Sequence, residues 1–339
     1  MLDQVLAAFG VLPDYDLNLM QPGQTLAQIT ARILANLEPL LAWERPELVL
    51  VQGDTTTTLV GTMAAFYEGI PVGHVEAGLR TGDLRQPFPE EMNRVMTTQM
   101  ARLHFAPSAA AADNLAAEGV ARERVWVTGN PGLDAMRHVR DGLAAGRLPG
   151  SEWPQLDADK KLIVVTAHRR ESFGEGLARI CEALARLARR PDVQLVFPVH
   201  RNPQVVQVVE RRLRWLRNVF LLEPLGYVPF VDLMRRAYLL LTDSGGLQEE
   251  GPALGKPVLV LREKTERPEA VAAGGVKLVG TDVDRIVHEA ERLLDFPSAY
   301  RHMAQVRNPY GDGHASRRIR EAIEAYFAPA GRAAGAAAD

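Results

Sequence analysis

Cysteine is nearly absent from this chain: of 339 residues only Cys181 carries a thiol. A single thiol excludes an internal disulfide and any metal site built on a CxxC pair. Its neighbours Ile180 and Glu182 lie in an apolar-periodic stretch, so Cys181 reads as a small apolar residue on a helix. Lysine is scarce too, limited to Lys160, Lys161, Lys256, Lys264 and Lys277, and none has the apolar flanks of a desolvated Schiff-base amine. No apolar run is long enough to span a membrane and no signal peptide is read at the start, so the cytoplasm is the expected compartment. The net charge of -3 gives no general attraction to nucleic acid or to an anionic membrane. Partners of those two kinds are not expected, and an anionic ligand would need a local cluster of donors.

What is present is the composition of a globular protein, 47% hydrophobic and 24% charged, at a length that suits two domains. Short apolar runs alternate with helical patterns. Strands are expected at 47–53, 72–76, 103–106, 124–128, 162–166, 194–199, 219–222, 238–242, 257–261 and 276–279. Helices such as 58–67, 89–100, 176–189, 204–215 and 283–294 lie between them. Apolar strands separated by helices mean a parallel sheet covered on both faces, the doubly wound α/β class. The rhythm breaks over 140–160, where Gly142, Gly146, Pro149, Gly150 and Pro154 mark a linker. Two Rossmann-like domains are therefore expected, 1–150 and 151–327, with a cleft between them and a disordered tail at 328–339. The last helix, about 314–327, is expected to fold back across the linker. The chain opens on a helix (2–9) where a doubly wound sheet normally opens on a central strand.

In the second half, Thr242-Asp243-Ser244-Gly245-Gly246-Leu247-Gln248-Glu249-Glu250 follows an apolar strand and opens a helix. The glycines allow close backbone approach, and the helix start offers N–H groups to phosphate. Glu250, about one turn in, suits a pair of ribose hydroxyls; an ordinary helix start with solvated acids is the other reading. Arg267 sits where a strand end meets a new helix and suits a diphosphate, or else a surface pair with Glu263 or Glu266. His168, Arg169 and Arg170 end another strand, where they could stabilise charge on a departing nucleotide. His200 is a weaker candidate of the same kind, and Phe230 could meet a base or else be a core aromatic beside a simple turn.

In the first half, Asp54 follows a strand and precedes four threonines; Asp54 or a threonine caps the next helix, or Asp54 faces a ligand. Glu76 closes an otherwise apolar strand, a costly place for a carboxylate unless it is paired or used. Glu90 and Glu91 suit a helix start electrostatically, while Asn93 and Arg94, a turn later, could orient a carboxylate or contact a sugar. The carboxylates thus gather on the first domain and the phosphate donors on the second, a division suited to chemistry on the sugar of a nucleotide sugar.

These motifs, Gly53–Thr57, His74–Arg80, Pro89–Arg94, His168–Ser172, Asp243–Glu250 and Glu266–Ala270, resemble those of the non-hydrolysing UDP-N-acetylglucosamine 2-epimerases, a GT-B family, over about residues 1–325. The resemblance implies reversible conversion of UDP-GlcNAc to UDP-ManNAc, by elimination of UDP to 2-acetamidoglucal and its re-addition. Such an isomerase would supply ManNAc units for surface polysaccharides. The resemblance implies acid/base roles for Asp54, Glu76 and Glu90 and support of the leaving UDP by His168. It further implies contacts to the substrate from Arg94 and Arg169, to uracil from Phe230, to the phosphates from Ser244, Gly245 and Gly246, to ribose from Glu250 and to the diphosphate from Arg267. No metal and no NAD or other cofactor is implied, and a homodimer is the expected assembly. Relatives carry a strand, a Gly-Thr-Arg-Pro-Glu turn and a second strand before the position matched by Met1, so an upstream start is expected. Where relatives have Thr after Gly-Asn, this chain has Asn130-Pro131-Gly132. A GT-B glycosyltransferase, a hydrolysing epimerase and an inactive fragment that binds UDP sugars are the competing readings.

Overall fold

The structure, a computed structural model, describes residues 2–169 and 173–328. Its elements are α1 (Leu2–Ala8), α2 (Leu26–Glu44), β1 (Val49–Gln52), α3 (Thr56–Tyr67), β2 (Val72–Val75), α4 (Glu90–Met100), β3 (Leu103–Ala106), α5 (Ala109–Ala117), β4 (Val125–Val127), α6 (Pro131–Ala144), β5 (Lys161–Thr166) and α7 (Glu175–Leu187), then β6 (Val193–Pro198), α8 (Pro203–Leu213), β7 (Val219–Leu222), α9 (Tyr227–Arg236), β8 (Leu239–Thr242), α10 (Leu247–Ala253), β9 (Val258–Val260), α11 (Pro268–Ala273), β10 (Val276–Leu278), α12 (Val283–Asp295), α13 (Pro297–Ala304) and α14 (Ala315–Phe327). Each expected strand forms, and all pairings are parallel. Among the described residues no helix is long and apolar enough to cross a membrane.

Two compact units share the chain: Pro13–Asp134 with Tyr310–Asp339, and Met1–Leu12 with Ala135–Pro309. The linker composition pointed instead to 1–150 and 151–327. The difference has local causes. Helix α6 runs on to Ala144, past the start of the expected linker, and the division falls inside it. Helix α14 packs Ile319 and Ala322 on Val75, Leu103 and Phe105, filling a face of the first unit's sheet. Its first amides, Ala315 and Ser316, donate to the Asp134 carboxylate at 3.0 and 2.7 Å, a cap supplied from far along the chain. At the other end, Phe9 sets its ring against His138 and Tyr227, with centroids 5.8 and 6.0 Å away. The tail expectation falls largely on residues 329–339, outside the described residues.

The four-stranded unit has the order β1-β2-β3-β4. Helix α2 begins with a reciprocal Thr25–Gln28 capping box, and its Leu41 packs with Val51, Ala64, Ala65 and Val72. The six-stranded unit has the order β10-β9-β8-β5-β6-β7. Its central strands are apolar on both faces, as a sheet covered twice requires. Leu177, Ile180, Cys181, Leu184 and Leu187 recur at helical spacing on α7 and join Ile163, Leu195 and Leu241 in the core. Cys181 is buried there and burial pushes its thiol up to about 12, which makes it an inert core residue.

Two histidines, His74 and His104, face each other in register on β2 and β3, both fully buried. Burial lowers His74 to about 4. Burial, then repulsion from His74 and Arg124, lowers His104 to about 3. Both folded values lie below the unfolded one, so the unfolded chain binds more protons once the pH falls beneath about 6.5. The stability these neutral rings retain at neutral pH is therefore lost on acidification. The expected loss is about 2 kcal/mol per ring by roughly pH 5, checked by urea unfolding across that range. Replacing either ring by Asn or Gln should flatten the acid side of the profile.

Candidate active site

On the four-stranded unit the site starts from two neighbouring strand ends. The register Gln52↔Val75 sets Gly53 beside Glu76. Both have left-handed backbones, φ 73° for Gly53 and 65° for Glu76. Glycine adopts that conformation freely, but a glutamate there costs roughly 1–3 kcal/mol, a strain typical of functional positions. A Cβ on Gly53 would lie 3.2 Å from Glu76 Oε2, so the carboxylate rests against bare backbone. Asn130 Nδ2 donates to Glu76 Oε1 at 3.2 Å. The Gly53 carbonyl accepts from His74 Nε2 at 2.7 Å, which puts the proton of that neutral ring on Nε2.

Asp54 follows directly. The helix cap is its neighbour Thr55, whose hydroxyl accepts from the Thr58 amide at 3.2 Å, so the Asp54 side chain is not spent on capping. Arg94 Nη2 donates to Asp54 Oδ2 at 2.5 Å, and Asn93 Nδ2 donates to the Asp54 carbonyl at 2.8 Å. Arg94 is itself buried, and its Nη1 lies 3.1 Å from Glu91 Oε2. Glu91, also buried, accepts from the amides of Thr81 and Gly82 at 2.9 Å each. Helix α4 therefore turns a charged face inward and fastens the turns after β1 and β2. The sequence left Arg94 either to orient a carboxylate or to contact the substrate; in the fold its guanidinium is held by two carboxylates, Asp54 and Glu91. Glu90 is half-buried at the first position of α4.

On the six-stranded unit, β5 and β8 pair Thr166 with Thr242, whose hydroxyls are 2.6 Å apart. The turns that follow carry His168–Arg169 and Asp243–Gly246. Asp243 is fully buried; its Oδ2 accepts from the amides of His168 and Arg169 at 2.7 Å each, and its Oδ1 lies 3.2 Å from His168 Nδ1. Burial lowers the His168 pKa; Asp243 opposes that shift, whereas Arg169 and the stacked His200 ring at 5.9 Å add to it. Arg170, Glu171 and Ser172 lie outside the described residues.

Next in the chain, Ser244 is half-buried, Gly245 buried and Gly246 exposed. A Cβ on Gly245 would meet Arg267 Nη1 at 2.5 Å and Glu266 Oε1 at 2.6 Å, so a larger residue there would have to displace that ion pair. Arg267 thus backs this loop and is paired with Glu249, at 2.6 Å, and with Glu266. Glu250 accepts from the Tyr227 hydroxyl at 3.2 Å, and burial raises its pKa to about 7. Phe230 lies half-buried in the first turn of α9. Among the described residues no group of three His, Cys, Asp or Glu is placed to hold a metal ion.

Sequence reasoning did not single out Glu91, Asn130, Tyr227 or Asp243 as site residues. Asp243 carried a usable signal, the same one that marked Glu76: a carboxylate closing a buried strand. Glu91 and Arg94 stand three apart on one helix, a pairing distance. Nothing local links Tyr227 to Glu250 or Asn130 to Glu76.

A family model described as UDP-N-acetylglucosamine 2-epimerase matches residues 1–324. The Escherichia coli (strain K12) protein called UDP-N-acetylglucosamine 2-epimerase is 56% identical over 329 residues, which is 96% of this chain and 88% of that one. The crystal structure of the Neisseria meningitidis UDP-GlcNAc 2-epimerase bound to UDP-GlcNAc has a TM-score of 0.92 and 46% identity, covering 95% of this chain and 88% of that one. The Methanocaldococcus jannaschii UDP-GlcNAc 2-epimerase in complex with UDP-GlcNAc and UDP has a TM-score of 0.80 at 30% identity, covering 95% and 88%. Two all-parallel α/β units and these neighbours make the architecture GT-B-like, with two Rossmann-like domains. The chain belongs to the UDP-N-acetylglucosamine 2-epimerase family.

Proposed function

We propose that this protein interconverts UDP-GlcNAc and UDP-ManNAc as a non-hydrolysing 2-epimerase. The observation that carries the reading is the pair of carboxylates, Asp54 and Glu76, held at adjacent strand ends in a chain 56% identical to a named epimerase. The proton on carbon 2 of the sugar is not next to a carbonyl, so simple removal and return is too slow. Elimination solves this: the C2–H proton goes to a base, the C1–O bond breaks, and its electron pair leaves with UDP. The 2-acetamidoglucal then takes a proton on the other face while a UDP oxygen re-forms the bond to C1. Asp54, Glu76 and Glu90 are assigned to the proton transfers, which need carboxylates held in fixed poses.

His168 is assigned to the charge developing on the departing diphosphate, together with Arg169. The Ser244–Gly246 loop is assigned to the phosphates, with Arg267 behind it, Glu250 to the ribose and Phe230 to uracil. Cytoplasmic location, a homodimer and a supply of ManNAc units for polysaccharide belong to the same proposal; light scattering checks the dimer.

The test is incubation with UDP-GlcNAc alone, followed by proton NMR in D2O. The expected result is an equilibrium mixture with UDP-ManNAc and deuterium at carbon 2. No UDP-ManNAc, or steady release of free UDP and ManNAc, would overturn the reading in favour of a glycosyltransferase or a hydrolysing enzyme.

Glu250 adds a pH dependence. As an acceptor for ribose hydroxyls it must be ionised, and its pKa of about 7 leaves much of it protonated just below neutrality. Affinity for UDP is expected to rise as pH passes from about 6 to about 8, by several-fold. Glu250→Gln should remove that slope in calorimetric titrations.

A further inference from the structure

The His168 ring has a buried carboxylate behind it that no catalytic assignment uses. Asp243 is 0% exposed and closes β8, beside β5, from whose end His168 projects. Its own amide donates to the Thr166 carbonyl at 3.2 Å. Its Oδ2 takes both amides of the 168–169 turn, so backbone and side chain of one residue clamp that turn to β8. Its Oδ1 accepts no hydrogen bond among the described residues and lies 3.2 Å from Nδ1 of His168, an ion-pair distance that a small turn of the ring would convert to a hydrogen bond. A carboxylate taken out of water is costly, and two amides on one oxygen leave the other still to be satisfied.

We propose that Asp243 is a positioning residue for His168, holding the ring with its proton on Nδ1 and stabilising the imidazolium. The inference rests on the reading that His168 meets the departing diphosphate. An imidazole whose Nδ1–H is held by a carboxylate presents Nε2 as its working atom, in one tautomer and one orientation. When the C1–O bond breaks, the electron pair moves onto a β-phosphate oxygen, and the Nε2–H of imidazolium donates to it. On re-addition the pair returns to C1. No proton or electron is gained or lost overall. Among the described residues, the charged groups facing the ring are Asp243, Arg169 and His200. Of these only Asp243 favours the imidazolium, against burial of the ring and against Arg169 and His200.

Asp243→Asn keeps an oxygen for the two amides but removes the charge, and offers the ring an N–H where a carboxylate stood. The expected result is a kcat lower by roughly 10- to 100-fold with KM nearly unchanged. The alkaline limb of the kcat profile should move to lower pH, since the imidazolium loses its counter-charge. His168→Ala/Asp243→Asn should be no slower than His168→Ala alone. Wild-type kcat and pH profile in Asp243→Asn, beside an impaired His168→Ala, overturns the inference and leaves the epimerase reading intact. A fully active His168→Ala instead refutes the role of His168 itself. Should Asp243→Asn not fold, nitrogen-15 shifts of the His168 ring in the wild-type protein decide: Nδ1–H supports the inference and Nε2–H overturns it.

Discussion

Replacing Glu76 by glutamine is expected to lower kcat by about 10²–10⁴-fold, the usual contribution of a positioned acid or base. UDP affinity should change little, because the groups assigned to the nucleotide lie on the six-stranded unit. Glutamine keeps the size and can still accept from Asn130 Nδ2, so the turn at φ 65° has no new reason to rearrange. Calorimetric UDP binding and circular dichroism should therefore match the wild type. In D2O the variant should also lose wash-in of deuterium at carbon 2, which separates lost proton transfer from slow product release. Activity within a few-fold of wild type would remove Glu76 from the proton-transfer steps. The left-handed glutamate would then need another explanation.

The second large effect concerns stability. Arg94→Met is expected to destabilise the four-stranded unit by roughly 3–5 kcal/mol, the cost of leaving a buried charge without its partner. Glu91 would keep the Thr81 and Gly82 amides but lose the cation 3.1 Å away, at a site with 1% exposure. Asp54 would lose its partner at 2.5 Å in the same substitution. The melting temperature should fall by roughly 10 °C, taking 2–4 °C per kcal/mol for a domain of this size. Residual folded enzyme should show a reduced kcat as well, since Asp54 is no longer held. Arg94→Lys should recover only part of either loss, because one ammonium cannot reproduce the planar fork between two carboxylates. Differential scanning calorimetry with kinetics on the same samples checks both effects. A Met variant as stable as the wild type would mean that water takes over the role of the guanidinium.

Much of the fold was legible because parallel strands buried on both faces must be short apolar runs, and the helices between them carry apolar residues at helical spacing. Asp54 and Glu76 stood out as candidates because each is an acid at the end of such a run. Whether Asp54 or a threonine after it caps the next helix was not legible. It depended on whether the hydroxyl of Thr55 would take the helix amide, which it does. The extent of the two units was not legible either. Gly142, Gly146 and Pro149 do mark an irregular stretch, but the apolar stripe of α14 was free to pack on either sheet.

The sequence alone determined the class of this protein: two parallel α/β units, acids on one and a phosphate-type loop on the other, and motifs ordered as in the epimerase family. These are local properties, set by composition, period and chain order. Only the tertiary structure decided which acids are held, and by what. Arg94 meets Asp54 from 40 residues away, Asp243 meets the His168 amide from 75, and Asn130 reaches Glu76 from 54. Each contact depends on which strands become neighbours in the sheet, such as β5 and β8. That choice comes from the packing of the whole unit, so residue spacing along the chain could not reveal it.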